Sequence, residues 1–277
     1  MITKAWFSPE MDIYERDMNI IVCLKQIIDP EIPAADFRID SEAKRAILPK
    51  DREFVISDYD ENAVEAALRI KDGKGAKVTL LSLGEESTID ALKKALAMGA
   101  DEAVLLSDPS FDDSDSFAVA HALTQAIKKL GNFNLILCGR QEGDWDAGQI
   151  GSGIAELLRI PSATCIGGIE LKEGSVIAER VVTDGREFIE IPLPALLTIS
   201  SEIGKPRYAS LQGVMAASKK KILIWNAQDI KPAKPRNKIL KLFVPVQEVG
   251  KCELIDAETG EEAGANLALK LREAKII

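Results

Sequence analysis

The residues best suited to chemistry lie in one stretch, Gly139-Arg-Gln-Glu-Gly-Asp-Trp-Asp-Ala-Gly-Gln-Ile-Gly151. Its glycines let the main chain approach a ligand closely. The helical run that follows, Ile154-Ala-Glu-Leu-Leu158, would offer free N–H groups to phosphate at its start. Arg140 is placed to offset phosphate charge, and Asp146 with Gln149 three residues on fits a helix-capping pair. The motif alone is not specific. No Gly-Lys-Ser/Thr follows it, and Gly151-Ser-Gly153 meets Glu156 where a dinucleotide fingerprint needs a small residue. A plain glycine-rich turn capped by Asp146 is the other reading open at this point.

Other chemistries find little support. Cys23, Cys138, Cys165 and Cys252 include no C-x-x-C pair, and three sit in or beside apolar strand-like runs, where a free cysteine acts as a small hydrophobe. The single His121 falls in a helical pattern with no nucleophile-elbow motif, so a hydrolytic triad is not expected. No metal site is expected either.

Alternating elements must carry the loop. Asn19-Ile-Ile-Val-Cys-Leu-Lys25 reads as the first strand, and Asp58-Tyr-Asp-Glu61 as a helix start in which Asp58 and Glu61 form a capping box. Val64, Ala67 and Leu68 then recur at helical spacing until Gly73. Residues 78–82, 103–107 and 134–138 read as strands. Helices lie between them, one starting at Ser87 and ending at Gly99, another ending at Gly131. This alternation predicts βαβ units: a doubly wound, mainly parallel α/β sheet of Rossmann-like type. Beyond Pro161 the pattern changes, and residues 176–182 and 187–191 read as an antiparallel hairpin. A further strand, residues 195–198, follows, and a short helix covers residues 264–271 near the end.

Composition narrows the class. The chain has 277 residues and a net charge of -9, an acidity that argues against a nucleic-acid partner. A chain of this length buries roughly 75% of its unfolded surface and needs no disulfide or metal staple. No apolar run reaches ~18 residues and the start lacks an apolar signal core, so stable membrane insertion is not expected and a cytoplasmic location is. Residues 205–241 carry ten basic residues and one acid, a solvated face by default, with Pro232 and Pro235 marking a linker.

Four segments in fixed order carry a resemblance. They are Asn19-Ile-Ile-Val-Cys-Leu-Lys-Gln-Ile-Ile-Asp29, Ala95-Leu-Ala-Met-Gly-Ala-Asp101, the 139–151 loop, and Leu193-Pro-Ala-Leu-Leu-Thr198 followed by Pro206-Arg-Tyr-Ala-Ser-Leu211. Over residues 18–225 the chain resembles the β subunit of an electron transfer flavoprotein. That resemblance implies an electron carrier rather than an enzyme, paired with an α subunit that holds the redox FAD. It also implies an adenine nucleotide in this subunit: AMP in ordinary members, a second FAD in electron-bifurcating ones. Matching positions that would line the nucleotide are Cys23, Ser57, Asp58, Tyr59, Asp60 and Leu83. In the loop they are Gly139, Arg140, Gln141, Asp144, Asp146, Ala147, Gly148, Gln149 and Ile150. The family's recognition loop matches residues 199–221, where Arg207, Tyr208, Leu211 and Met215 would dock an acyl-CoA-type or other dehydrogenase, with Leu211 as the projecting anchor.

The chain departs from the family pattern in places. Ser57-Asp58 replaces an Asn-Pro, Thr183 and Val181 stand where acids are usual, and Trp145 fits neither loop type. Ile150 after Gln149 follows the bifurcating pattern. The organisation expected is an extension (1–17), a nucleotide-binding domain (18–225) and a C-terminal arm (226–277) packing on the partner subunit. The rival readings are a stand-alone ATP- or AMP-binding protein of the same fold, and an adenylate-forming or hydrolytic enzyme.

Overall fold

The computed structural model describes residues 18–50, 52–245, 250 and 252–277; the expected 1–17 extension lies outside them. Strand β1 (Asn19–Cys23) leads into two small antiparallel pairs, β2 (Gln26–Ile28) with β5 (Phe54–Ile56) and β3 (Arg38–Asp40) with β4 (Arg45–Ile47). The chain then alternates: α1 (Asp58–Lys74), β6 (Lys77–Leu83), α2 (Thr88–Met98), β7 (Glu102–Leu106), α3 (Ser116–Leu130), β8 (Leu135–Gly139) and α4 (Ile150–Leu158). Next come β9 (Ser162–Lys172), β10 (Ser175–Val182), β11 (Gly185–Pro192), β12 (Ala195–Ile199), α5 (Leu211–Lys219), β13 (Leu223–Trp225) and α6 (Gly260–Glu273).

Nine strands form one sheet in the order β11-β10-β9-β12-β8-β1-β6-β7-β13. Strand β10 is antiparallel to both neighbours, and every other pairing in the sheet is parallel. The chain winds outward from β1 through β6 to β7, then crosses back to β8 on the other side of β1. That reversal opens a crevice between the carboxyl ends of β1 and β8, where open α/β sheets hold ligands. The expected class, a doubly wound and mainly parallel α/β sheet, is the one observed.

Both faces of the sheet are covered, so its central strands read as continuous apolar runs. On one face Ile20, Val22, Leu80, Leu135 and Leu197 pack against Val64 and Leu68 of α1 and Leu92 of α2. On the other, Ile21, Cys23, Leu81, Ile136 and Cys138 meet Leu123 and Ile127 of α3 and Ile154 of α4.

Local capping differs from the sequence expectation in three places. Ser57, not Asp58, is the N-cap of α1, and its hydroxyl caps nothing in that helix. Ser87 does stand at the N-cap of α2 but accepts no capping bond; its Oγ accepts from Gln26 Nε2 instead, at 3.0 Å. Helix α1 also runs one residue past Gly73, and Gly75 (φ 74°) ends it.

Contacts divide the chain into two units, one up to Leu242 and one from Phe243 to Ile277. In the first, Ile230 beyond β13 is buried in the α3-side core. In the second, α6 is two turns longer at most than residues 264–271 suggested, and Thr259 Oγ1 caps it by accepting from Glu262 N–H at 3.2 Å. Among the described residues no helix is long and apolar enough to cross a membrane.

Candidate functional site

The crevice is built around one carboxylate. Asp60, in the first turn of α1, is 8% exposed. Its Oδ2 accepts from the N–H of Lys25, just past β1, and its Oδ1 from the N–H of Gly139, the last residue of β8, each at 2.8 Å. Only glycine fits at 139: a Cβ there would stand 2.6 Å from Asp60 Oδ1 and 2.8 Å from the Tyr59 carbonyl carbon. Burial pushes the Asp60 carboxyl up to about 7, the two N–H donors and Lys25 pull it down, and Glu142 adds to the upward push.

The 139–150 loop is tied to this floor. Ser57 Oγ accepts from Gly143 N–H at 3.2 Å, and Lys25 Nζ pairs with Asp144 at 2.7 Å. Within the loop, Glu142 Oε2 accepts from Gly148 N–H at 3.1 Å and Asp146 Oδ1 from Gln141 Nε2 at 2.7 Å. Asp146 therefore does not cap α4. It sits in the left-handed region (φ 51°), and Gln149 occupies the N-cap without a side-chain bond. Arg140 stacks over the Tyr59 ring at 4.6 Å, and its Nε is buried with no hydrogen-bond partner. Gly151 lets α4 start hard against β12, where a Cβ would stand 2.6 Å from Thr198 Cγ2.

The structure thus gathers Ser57, Tyr59, Asp60, Gly139, Arg140 and Gln141 at the crevice floor. Asp58, Asp144, Asp146, Ala147, Gly148 and Gln149 are exposed, and Ile150 and Leu83 are half-buried. Cys23 and Cys138 lie buried beneath, on neighbouring strands and the same sheet face. A hydrogen bond with Cys23, together with burial, pushes the Cys138 thiol up, which makes it a poor nucleophile. Sequence reasoning left out Lys25, and it took Glu142 and Gly143 only as part of the 139–150 loop, with no role of their own. Their signal was their place inside the matched motifs. Among the described residues no group of three or more His, Cys, Asp or Glu could hold a metal ion.

The second set of residues lies elsewhere, Arg207 and Tyr208 on the segment between β12 and α5 and Leu211 and Met215 in the first turns of α5. Tyr208 is 99% exposed and Leu211 77%, with Met215 exposed one turn on. Arg207 is different. Its Nε reaches Glu65 and an outer guanidinium nitrogen reaches Asp72, both on α1 and both at 2.8 Å. Arg69 also pairs with Glu65 and donates to the carbonyls of Ile203 and Lys205. Burial pushes the Glu65 carboxyl up, but Arg207 and Arg69 outweigh it and hold the group below the usual range. Gly213 packs α5 onto α2, where a Cβ would meet the Ala97 carbonyl oxygen.

A glycine-rich loop opening a helix at the switch point of a doubly wound sheet places the chain among the ligand-binding α/β architectures. More specifically, the chain belongs to the electron transfer flavoprotein family. The model for the electron transfer flavoprotein domain matches residues 46–230. The electron transfer flavoprotein subunit beta of Clostridium acetobutylicum is 38% identical over 266 residues, 94% of this chain and all of that one. Subunit CarD of the caffeyl-CoA reductase-Etf complex of Acetobacterium woodii is 37% identical over 269 residues, again 94% of this chain and all of the relative. The acryloyl-CoA reductase electron transfer subunit gamma of Anaerotignum propionicum is 38% identical over 217 residues, 77% of this chain and 79% of that one. These matches bear out the expectation of an electron-carrying subunit rather than an enzyme.

Proposed function

We propose that this chain is the β subunit of a heterodimeric electron transfer flavoprotein, holding an adenine nucleotide in the β1–β8 crevice. The observation that carries the reading is the constellation at that crevice. Glycine-bearing main chain and the start of α4 lie beside it, and the unpartnered Arg140 Nε sits at its floor. Main-chain N–H groups of the 139–150 loop other than those of Gly139, Arg140, Gly143, Asp146 and Gly148, together with the helix start, would take the phosphates. When bound, FAD supplies the redox chemistry; the protein binds it, orients it and docks the electron donor.

Of the two nucleotides, we favour FAD in this subunit over AMP. Gly148 and Ile150 present no hydrogen-bonding side chain that would close over a terminal monophosphate, so a second phosphate and ribityl chain can continue outward. The redox FAD would belong mainly to the α subunit, around which the C-terminal arm would wrap. The relatives named for caffeyl-CoA and acryloyl-CoA reductases support an acyl-CoA-type dehydrogenase as partner. Leu211 with Tyr208 and Met215 would dock it, and Arg207 would hold their segment on α1. An exposed apolar anchor with a polar rim is how interfaces concentrate binding energy.

Denaturing the purified heterodimer and counting what it releases tests the assignment. Two FAD and no AMP per heterodimer are expected; one FAD with one AMP would remove the bifurcating-type site. A stable homodimer without flavin would favour the stand-alone nucleotide-binding reading instead.

A further inference from the structure

We propose that Asp60 is a positioning residue of the nucleotide site: it pins the ends of β1 and β8 together and takes up a proton when a phosphate-bearing ligand enters the crevice. This rests on the nucleotide-binding reading above and deepens it.

The pinning follows from geometry. The crevice exists because β1 and β8 neighbour each other while the chain leaves them in different directions. Lys25 N–H stands just past β1 and Gly139 N–H at the end of β8, one residue before Arg140 N–H donates to the Ile199 carbonyl of β12. Lys25 N–H and Gly139 N–H both donate to one carboxylate, at 2.8 Å each. Gly139 is the first residue of the loop, so where Asp60 holds it decides where the loop's N–H groups point. Asp60 acts on the ligand through main chain, and its side chain need not touch it.

The proton uptake follows from charge. From the β1 end Lys25 faces Asp60, but its ammonium is already paired with Asp144. From β8 comes the Cys138 thiol, hydrogen-bonded to Cys23. From the loop comes Glu142, which opposes a charge on Asp60, and Arg140 stacks on the adjacent Tyr59 of α1. The carboxyl is thus poised near neutrality, at about 7. A phosphate brought to the loop adds negative charge and displaces water from the crevice mouth. Both effects favour the neutral acid. The proton comes from solvent and no other bond is made or broken. Affinity is therefore highest below about pH 7 and falls as pH rises through it.

The test is titration of the full-length chain with FAD, whose pyrophosphate carries no titrating proton near neutrality. Heat is measured between pH 5.5 and 8.5, and at pH 7 in two buffers of different ionisation enthalpy. Affinity should fall several-fold from pH 6 to pH 8, with a slope no steeper than about tenfold per pH unit for one proton. The buffer difference at pH 7 should report net proton uptake. Asp60→Asn should flatten the profile, whereas His121→Gln, which removes the single histidine of the chain, should preserve it. FAD binding with no proton uptake and a flat wild-type profile overturns the proposal and leaves the nucleotide site standing. A pH profile that survives in Asp60→Asn also overturns it. Failure to bind FAD at any pH removes the FAD reading of the site, and the proposal with it. If Asp60→Asn does not fold, absence of proton uptake in the wild type still overturns the proposal.

Discussion

Gly139→Ala is the sharpest probe of the crevice. The added methyl would stand 2.6 Å from Asp60 Oδ1, 2.8 Å from the Tyr59 carbonyl carbon and 2.8 Å from Tyr59 Cβ. Two of those three neighbours cannot rotate away, because they are fixed to the first turn of α1. The Asp60 carboxylate must therefore swing off the Gly139 N–H. Overpacking of this kind costs about 1–3 kcal/mol. Losing the hydrogen bond to Asp60, assayed at pH 8 where the carboxyl is ionised, adds roughly 1.5–3 kcal/mol. The sum is about 3–6 kcal/mol, and at roughly 2–4 °C per kcal/mol for a domain of this size the melting midpoint should fall by about 10 °C. Gly73→Ala is the matched control. It lies in α1 with open space around it, and should stabilise by about 0.5–1 kcal/mol through helix propensity. Thermal unfolding of both variants, with nucleotide content measured alongside, decides the point. A Gly139→Ala protein that melts with the wild type and keeps its nucleotide would refute the argument that this contact shapes the site.

Two further outcomes are expected. Asp60 is neutral in the folded chain up to about pH 7 but ionises near 3.8 when exposed, so its contribution is fully present below pH 3.8 and is lost as pH rises through 7. Between pH 5 and pH 8 the wild type should lose about 3 kcal/mol relative to Asp60→Asn in denaturant unfolding; a pH-independent difference would sink the assignment. Leu211→Ala should weaken docking of the partner dehydrogenase by ~2 kcal/mol, roughly 30-fold, with flavin content unchanged; unchanged transfer at limiting dehydrogenase would remove its docking role.

The fold was legible where local pattern and tertiary demand agree. Apolar runs such as Ile20-Ile-Val22 and Leu135-Ile-Leu137 satisfy both sheet faces as central parallel strands. Strand β9 was hidden because Gly167-Gly168 and the left-handed Cys165 (φ 59°) break its alternation, and its register with β12 and β10 shifts at these points. Strands β2 to β5 and β13 are three residues each, too short to show a period. The caps failed for a different reason. A hydroxyl or carboxylate near a helix start reads as a local cap, but the Ser87 hydroxyl accepts from Gln26, 61 residues away, and Asp146 accepts from the Gln141 side chain within the loop. Nothing in local spacing announces such a bond. Residues that meet at the crevice were named through the family motifs, whereas the two main-chain bonds that Asp60 accepts there were not.

Helix α1 links the two halves of the proposed role. Its first turn supplies Ser57 and Asp60 to the crevice floor. Its middle and end supply Glu65, Arg69 and Asp72, which strap residues 203–207 in place just before the exposed Tyr208 and Leu211. From Asp60 to Asp72 the helix rises about 18 Å, at 1.5 Å per residue. An electron carrier must set its cofactor and its docking surface at a fixed separation while the chain between them varies. Here one element, α1, touches both the crevice loop and the segment before the proposed docking residues. The loop that would hold the nucleotide is fixed at its root and free at its tip: residues 139–143 are tied to α1, and 144–149 lie exposed. Variation in those outer residues, Trp145 and Gly148 among them, can change which nucleotide fits without disturbing the bridge that places it.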